Sequence, residues 1–133
     1  MGRWSEAQTL KIFKNAWFAR FARREGISAA ALLDAVARAE NSQIDADLGG
    51  GVIKQRIARS GEGKSKGFRS IILFRKGKRA VFVFGFPKSA IDNIAPNEMA
   101  QFKKLAWHLL SLSDTQVNQL LSNRQIEVVE HEA

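Results

Sequence analysis

Lys54 and Arg56 stand two residues apart in VIKQRIAR, a run with the alternation of a strand. Side chains two apart on a strand share a face, so two cations are offered to one side. Arg69 comes early in the next apolar run, GFRSIILFR. If the loop from Ser60 to Lys66 closes an antiparallel pair, Arg69 falls opposite Arg59 or Arg56. Lys88 ends a third run, and Lys64 and Lys66 ride on the loop. Fixed cations gathered on one sheet region do a definite kind of work. They hold a polyanion.

The charge distribution makes the same point. The chain of 133 residues carries a net charge of +8. Between Lys54 and Lys88 lie eleven cations, Arg75, Lys76, Lys78 and Arg79 among them, and Glu62 is the single acid. The remainder is slightly acidic, so the whole excess sits in about a quarter of the chain. A solvated surface normally mixes both signs, and this segment does not. Its partner is a polyanion: nucleic acid, an acidic membrane surface or an acidic protein.

Other chemistries find less support. There are no cysteines and only two histidines, His108 and His131, so no cofactor or metal is expected. His108 falls in the middle of a core-packing helix, where a surface or boundary role is the simplest account. Residues 58–65, ARSGEGKS, fit a loose nucleotide-loop pattern. That loop needs a helix after it to face the phosphates, and a β-patterned run follows instead. Phe68, beside Arg69, reads equally as a base-stacking ring or a core ring. Phe82, Phe84 and Phe86 alternate as if on one core face. The start, MGRWSEAQTLKIFKN, has no apolar run and does not read as a signal peptide. No segment has the roughly 20 apolar residues of a membrane span. A cytoplasmic protein with no membrane contact is expected.

Elements must hold these residues in place. Residues 9–14 read as a short strand. Helices are expected over 16–25, stopped by Gly26, and over 29–40, capped by Ser28. Together they suggest a helical hairpin. Residues 41–51 read as a linker ending in three glycines. Strands are expected over 52–59, 67–75 and 79–86, the last two joined at Lys76-Gly77-Lys78. A helix over 97–112 and a shorter one from Asp114 to Leu121 follow, and the acidic residues 125–133 read as a short strand or a frayed tail. The expected fold is α+β: an N-terminal helical hairpin packed on one face of a small twisted antiparallel sheet, with C-terminal helices. Length and the 45% hydrophobic fraction support a single domain, with residues 113–133 as an extension of a main body at 1–112.

The run from Asp47 to Lys88, DLGGGVIKQRIARSGEGKSKGFRSIILFRKGKRAVFVFGFPK, resembles the RelE/ParE toxin superfamily of bacterial type II toxin–antitoxin systems. The carrying pattern is basic-x-basic, a loop, Gly-aromatic-Arg, a hydrophobic hairpin and a lysine. The resemblance spans about residues 8–112. It implies ribosome-dependent cleavage of mRNA, in which a 2′-hydroxyl attacks the adjacent phosphate. It implies catalytic roles for Lys54, Arg56, Arg69 and Lys88. Arg59, Lys64, Lys66, Phe68 and Arg75 are then expected to bind RNA. A lysine crowded by arginines has its ammonium form disfavoured, which suits Lys54 to act as general base. Some members place a catalytic tyrosine after the last strand. This chain has none, and Ser89, Ile91 and Asp92 occupy that region. The resemblance also implies a cognate antitoxin, commonly with a helix-turn-helix DNA-binding domain. Two other functions fit the same superfamily: a ParE-like inhibitor of DNA gyrase acting by protein contact, and an inactive RNA- or ribosome-binding module.

Overall fold

The computed structural model describes residues 10–59, 63–87 and 94–130, with side chains except at 59 and 63–66. The chain runs β1 (Lys11–Asn15), α1 (Ala16–Glu25), α2 (Ala29–Glu40), β2 (Ala46–Gly49), β3 (Val52–Arg59), β4 (Gly63–Arg75), β5 (Arg79–Pro87), α3 (Pro96–Ser111), α4 (Asp114–Ser122) and β6 (Ile126–Val128). All strands form one sheet in the order β2-β3-β4-β5-β1-β6.

The helix boundaries follow local chemistry. Asn15 and Ser28 cap α1 and α2, their side chains accepting from the N–H groups of Phe18 and Ala31. Gly26 ends α1 in the left-handed region. Pro96 opens α3, and the Glu98 carboxylate accepts from the Ala95 N–H at 3.2 Å.

Several expectations change here. The sheet is mixed and six-stranded rather than a small antiparallel meander, because β1 pairs parallel to β5. Residues 46–49, expected within a linker, pair with β3 as β2. Gly49, Gly50 and Gly51 all adopt positive φ and make the turn between them, which side-chain-bearing residues adopt only with strain. Strand β4 begins at Gly63, four residues before the expected start, so much of the expected loop is strand. Gly63–Ser65 therefore lie on a strand, and no helix follows the nucleotide-loop pattern.

Helices cover both faces of the sheet, not one. Ile53, Ile57, Phe68, Ile72 and Phe82 face α1 and α2, where Phe18, Phe21, Leu32 and Val36 fill the core. Val52, Ile71, Leu73, Val81 and Val83 face α3 and α4, meeting Ala106, Leu110 and Val117. Burial of each such large side chain contributes about 1.5–3 kcal/mol. A central strand with helices on both sides buries both of its faces, which is why IILF in β4 is an unbroken apolar run. The strand expected over 9–14 is present as β1 ahead of the two helices, which pack on different strands rather than as one hairpin unit: α1 on β5 and β1, α2 on β3.

A bulge in β5 matters for the site. Ile71 pairs with Phe84 but Ile72 pairs with Phe82, leaving Val83 as the extra residue. Phe82 and Phe84 thus reach opposite faces, contrary to simple alternation. Phe82 packs on Phe18, whereas Phe84 packs between Trp17 and Phe102 of α3. The segment beyond Ser113 is part of the same core. β6 pairs with β1, and Val117, Ile126 and Val129 are buried.

Candidate functional site

Arg56 on β3 stands directly opposite Arg69 on β4, and Lys54 stands opposite Ile71. Lys54, Arg56 and Arg69 therefore lie on the face that carries α3, further along the strands than the helix-covered positions Val52 and Leu73. Phe86, paired with Arg69, and Phe84, paired with Ile71, continue the two rows onto β5. Lys54 and Arg69 are half-buried, and the Nη1 atom of Arg69 is shut away from solvent.

Opposed residues in such a ladder sit about 5 Å apart, and like charges there repel. Asp45 offsets that repulsion at Arg56. Its carboxylate accepts from the Arg56 N–H at 2.7 Å and from the guanidinium at 3.1 Å and 3.3 Å. Arg38 of α2 reaches the same carboxylate at 3.5 Å and also donates to the Arg56 carbonyl. Burial would raise the Asp45 pKa. The Arg56 hydrogen bonds and the two arginine charges outweigh it and hold the carboxyl below its ordinary value.

Asp45 is itself held by Gln55, which is fully buried. The Gln55 side-chain oxygen accepts from the Asp45 N–H at 2.6 Å. Its amide donates to the carbonyls of Ala35 at 2.9 Å and Gln43 at 3.3 Å. Ser70, also buried, donates to the Gln55 carbonyl at 2.9 Å. A buried amide with its bonding capacity used in this way fixes β3 against α2 and the 41–45 segment. The chain Gln55–Asp45–Arg56 thus sets where one cation of the site stands. Sequence reasoning singled out neither Gln55 nor Asp45. The available signal was the glycine triplet, which marks a hairpin that brings residue 45 back beside residue 55.

The remaining candidates divide. Phe68 is a core residue, 1% exposed and edge-on to Phe21 at 5.7 Å, so no base can stack on it. Its position across from Ile57, on the face toward α1, decides this. Arg75 is exposed but lies six residues along β4 from Arg69, about 20 Å away at the far end of the sheet. Arg79, counted in the basic segment, turns inward and donates to the carbonyls of Leu109 at 2.7 Å and Leu112 at 3.0 Å. Among the described side chains the basic segment therefore divides between two ends of the sheet. Arg59, Lys64 and Lys66 lie on the strands flanking residues 60–62, with side chains outside the described set. Lys88, Ser89, Ile91 and Asp92 fall outside the described residues.

Among the described residues no group of three His, Cys, Asp or Glu is arranged to hold a metal. His108 is exposed on α3. No helix among the described residues is long and apolar enough to cross a membrane.

A family model described as the RelE toxin of the RelE/RelB toxin–antitoxin system matches residues 10–129. The match extends past Ser113 and takes in α4 and β6, in keeping with their place in the core. Among curated proteins and solved structures no match was found.

Proposed function

We propose, for a chain that belongs to the RelE toxin family, a ribosome-dependent cut in messenger RNA that stops translation. Membership makes it the toxin of a toxin–antitoxin pair, with an antitoxin as its partner. The finer reading concerns the reaction. The 2′-hydroxyl of one nucleotide attacks the adjacent phosphorus, and the bond to the 5′ oxygen breaks. The 2′ oxygen loses a proton and the departing 5′ oxygen gains one. The products are a cyclic phosphate and a free 5′-hydroxyl.

The single observation that carries this reading is the pairing of Arg56 with Arg69 on one face, with Lys54 beside them. The phosphorane in the transition state carries more negative charge than the ground state, so cations fixed in advance stabilise it selectively. Arg69 and Arg56 act together as the cations at phosphorus, with Arg56 held in place by Asp45. Lys54 takes the 2′-hydroxyl proton. Arg59, Lys64, Lys66 and Lys88 contribute contacts to the RNA backbone, and the need for a 2′-hydroxyl selects RNA over DNA. The antitoxin carries a helix-turn-helix domain, so the complex binds DNA, and the toxin acts in the cytoplasm.

The test is induction of the protein in cells with mapping of RNA 5′ ends. Cuts within translated codons that disappear in Arg69→Ala support the reading. DNA damage with intact messages would instead indicate gyrase poisoning. Toxicity with neither would leave a passive ribosome-binding module.

A further inference from the structure

The cations at the far end of the sheet form a row of their own. Arg75 on β4 pairs with Arg79 on β5, and Arg79 pairs with Lys11 on β1. Three adjacent strands thus present Arg75, Arg79 and Lys11 side by side, at about 5 Å between neighbours. They share the face toward α3 and α4, as the neighbouring Phe13, Leu73 and Val81 show. Lys78 stands in the turn next to them, its carbonyl accepting from the Lys11 N–H at 3.2 Å. Lys11, Arg75 and Lys78 are exposed.

Like charges aligned across strands destabilise a sheet, so this row works against the fold unless something offsets it. Arg79 is offset from within. It is spent on the carbonyls at the end of α3 and on Asp114 at 3.6 Å. Its pKa is lowered, by burial first and also by the Arg75 charge, while Asp114 works in the opposite direction. The nearby Glu40 carboxylate accepts from the Gly77 N–H at 2.7 Å. Lys76 reaches Ser42 at 3.4 Å on that side of the turn. A cleft of about 430 Å³ opens beside the row, lined by Lys11, Arg75, Lys78, Ser113 and Asp114 among others. Exposed cations around an open cleft are donors for a phosphate-backbone contact, and the Asp114 carboxylate in the cleft is paired with Arg79.

We propose that Lys11, Arg75 and Lys78 form a second RNA-binding surface, about 20 Å from Arg69, that holds a backbone segment distinct from the strand being cut. The choice of RNA as occupant rests on the functional reading above. The surface positions the toxin, while the Arg56–Arg69 end does the chemistry. A phosphate contact that carries no sequence information is suited to that task.

The test is binding of a fluorescently labelled single-stranded RNA oligonucleotide to the full-length protein over a range of salt. Three variants are compared with the parent: Lys11→Glu/Arg75→Glu/Lys78→Glu, its milder counterpart with Gln at the same positions, and a charge-matched control, Arg20→Glu/Arg23→Glu/Lys104→Glu. Circular dichroism checks that each is folded. The first variant is expected to lose at least tenfold in affinity, the Gln variant less. The slope of log affinity against log salt should fall by about 2, since each phosphate contributes about 0.7 on a single strand. Unchanged binding in both Lys11/Arg75/Lys78 variants overturns the proposal. So does an equal loss in the control, which would mean net charge alone matters. Equal competition by polyglutamate would overturn RNA as the occupant. Loss of binding in a protein that cuts no message supports this surface and overturns only the catalytic reading.

Discussion

Asp45 grips Arg56 twice, accepting from its backbone N–H at 2.7 Å and from its guanidinium at 3.1 Å. The first bond extends the pairing along β3 just before β2 begins. The second directs the side chain that stands opposite Arg69. One carboxylate therefore serves both the strand and the site.

Asp45→Asn is expected to destabilise the fold modestly at neutral pH. The pair is partly exposed and screened, so the loss is on the order of 1 kcal/mol. Its pH dependence is distinctive. The Asp45 pKa is lower in the folded protein than its ordinary value of 3.8. Its contribution is therefore present above that value and disappears as pH falls through the lower, folded-state value. Urea midpoints of parent and variant should differ at pH 7 and converge in acid. A gap that persists in strong acid would show that the charge is not what matters. On the functional reading, the variant should also cleave mRNA more slowly.

Gln55→Leu should cost more, about 2–3 kcal/mol. It strands the Asp45 N–H and removes the donor to Ala35 and Gln43, from a side chain that is itself fully buried. Chemical denaturation measures it. Gln55→Glu is expected to be at least as damaging, since a buried carboxylate cannot donate to those two carbonyls.

Phe68→Ala should destabilise by about 3–5 kcal/mol, as truncation of a large core ring does. Phe68→Leu keeps most of the volume and is expected to retain parental RNA affinity under folding conditions. Filter-binding or anisotropy would decide. A marked loss of affinity in a well-folded Phe68→Leu protein would revive the stacking role.

Gly85→Ala tests the close approach of α1 to β5. A Cβ at Gly85 would lie 2.6 Å from the Phe21 ring and 3.1 Å from Phe18. The rings must move in a packed core, at about 1–3 kcal/mol. A thermal-unfolding midpoint within a degree of the parent would show that the helix shifts freely.

The sequence alone determined the helices 16–25 and 29–40, the Gly26 stop, the Ser28 cap and the turn at Gly77, because each depends on residues within a few positions. It also placed Lys54 and Arg56 on one face and brought Arg69 near Arg56. Strand alternation and a short connection suffice for that. Only the tertiary structure decided the rest. The parallel β1–β5 pairing, helices on both faces and the Val83 bulge are choices among distant segments that no local period encodes. The same holds for charge. The count of cations between Lys54 and Lys88 is a property of the sequence, but their division between two ends of the sheet follows from strand length and register. Asp45 illustrates the limit best. Nothing in its neighbourhood along the chain marks it, and it reaches Arg56 only because three glycines fold β2 back onto β3.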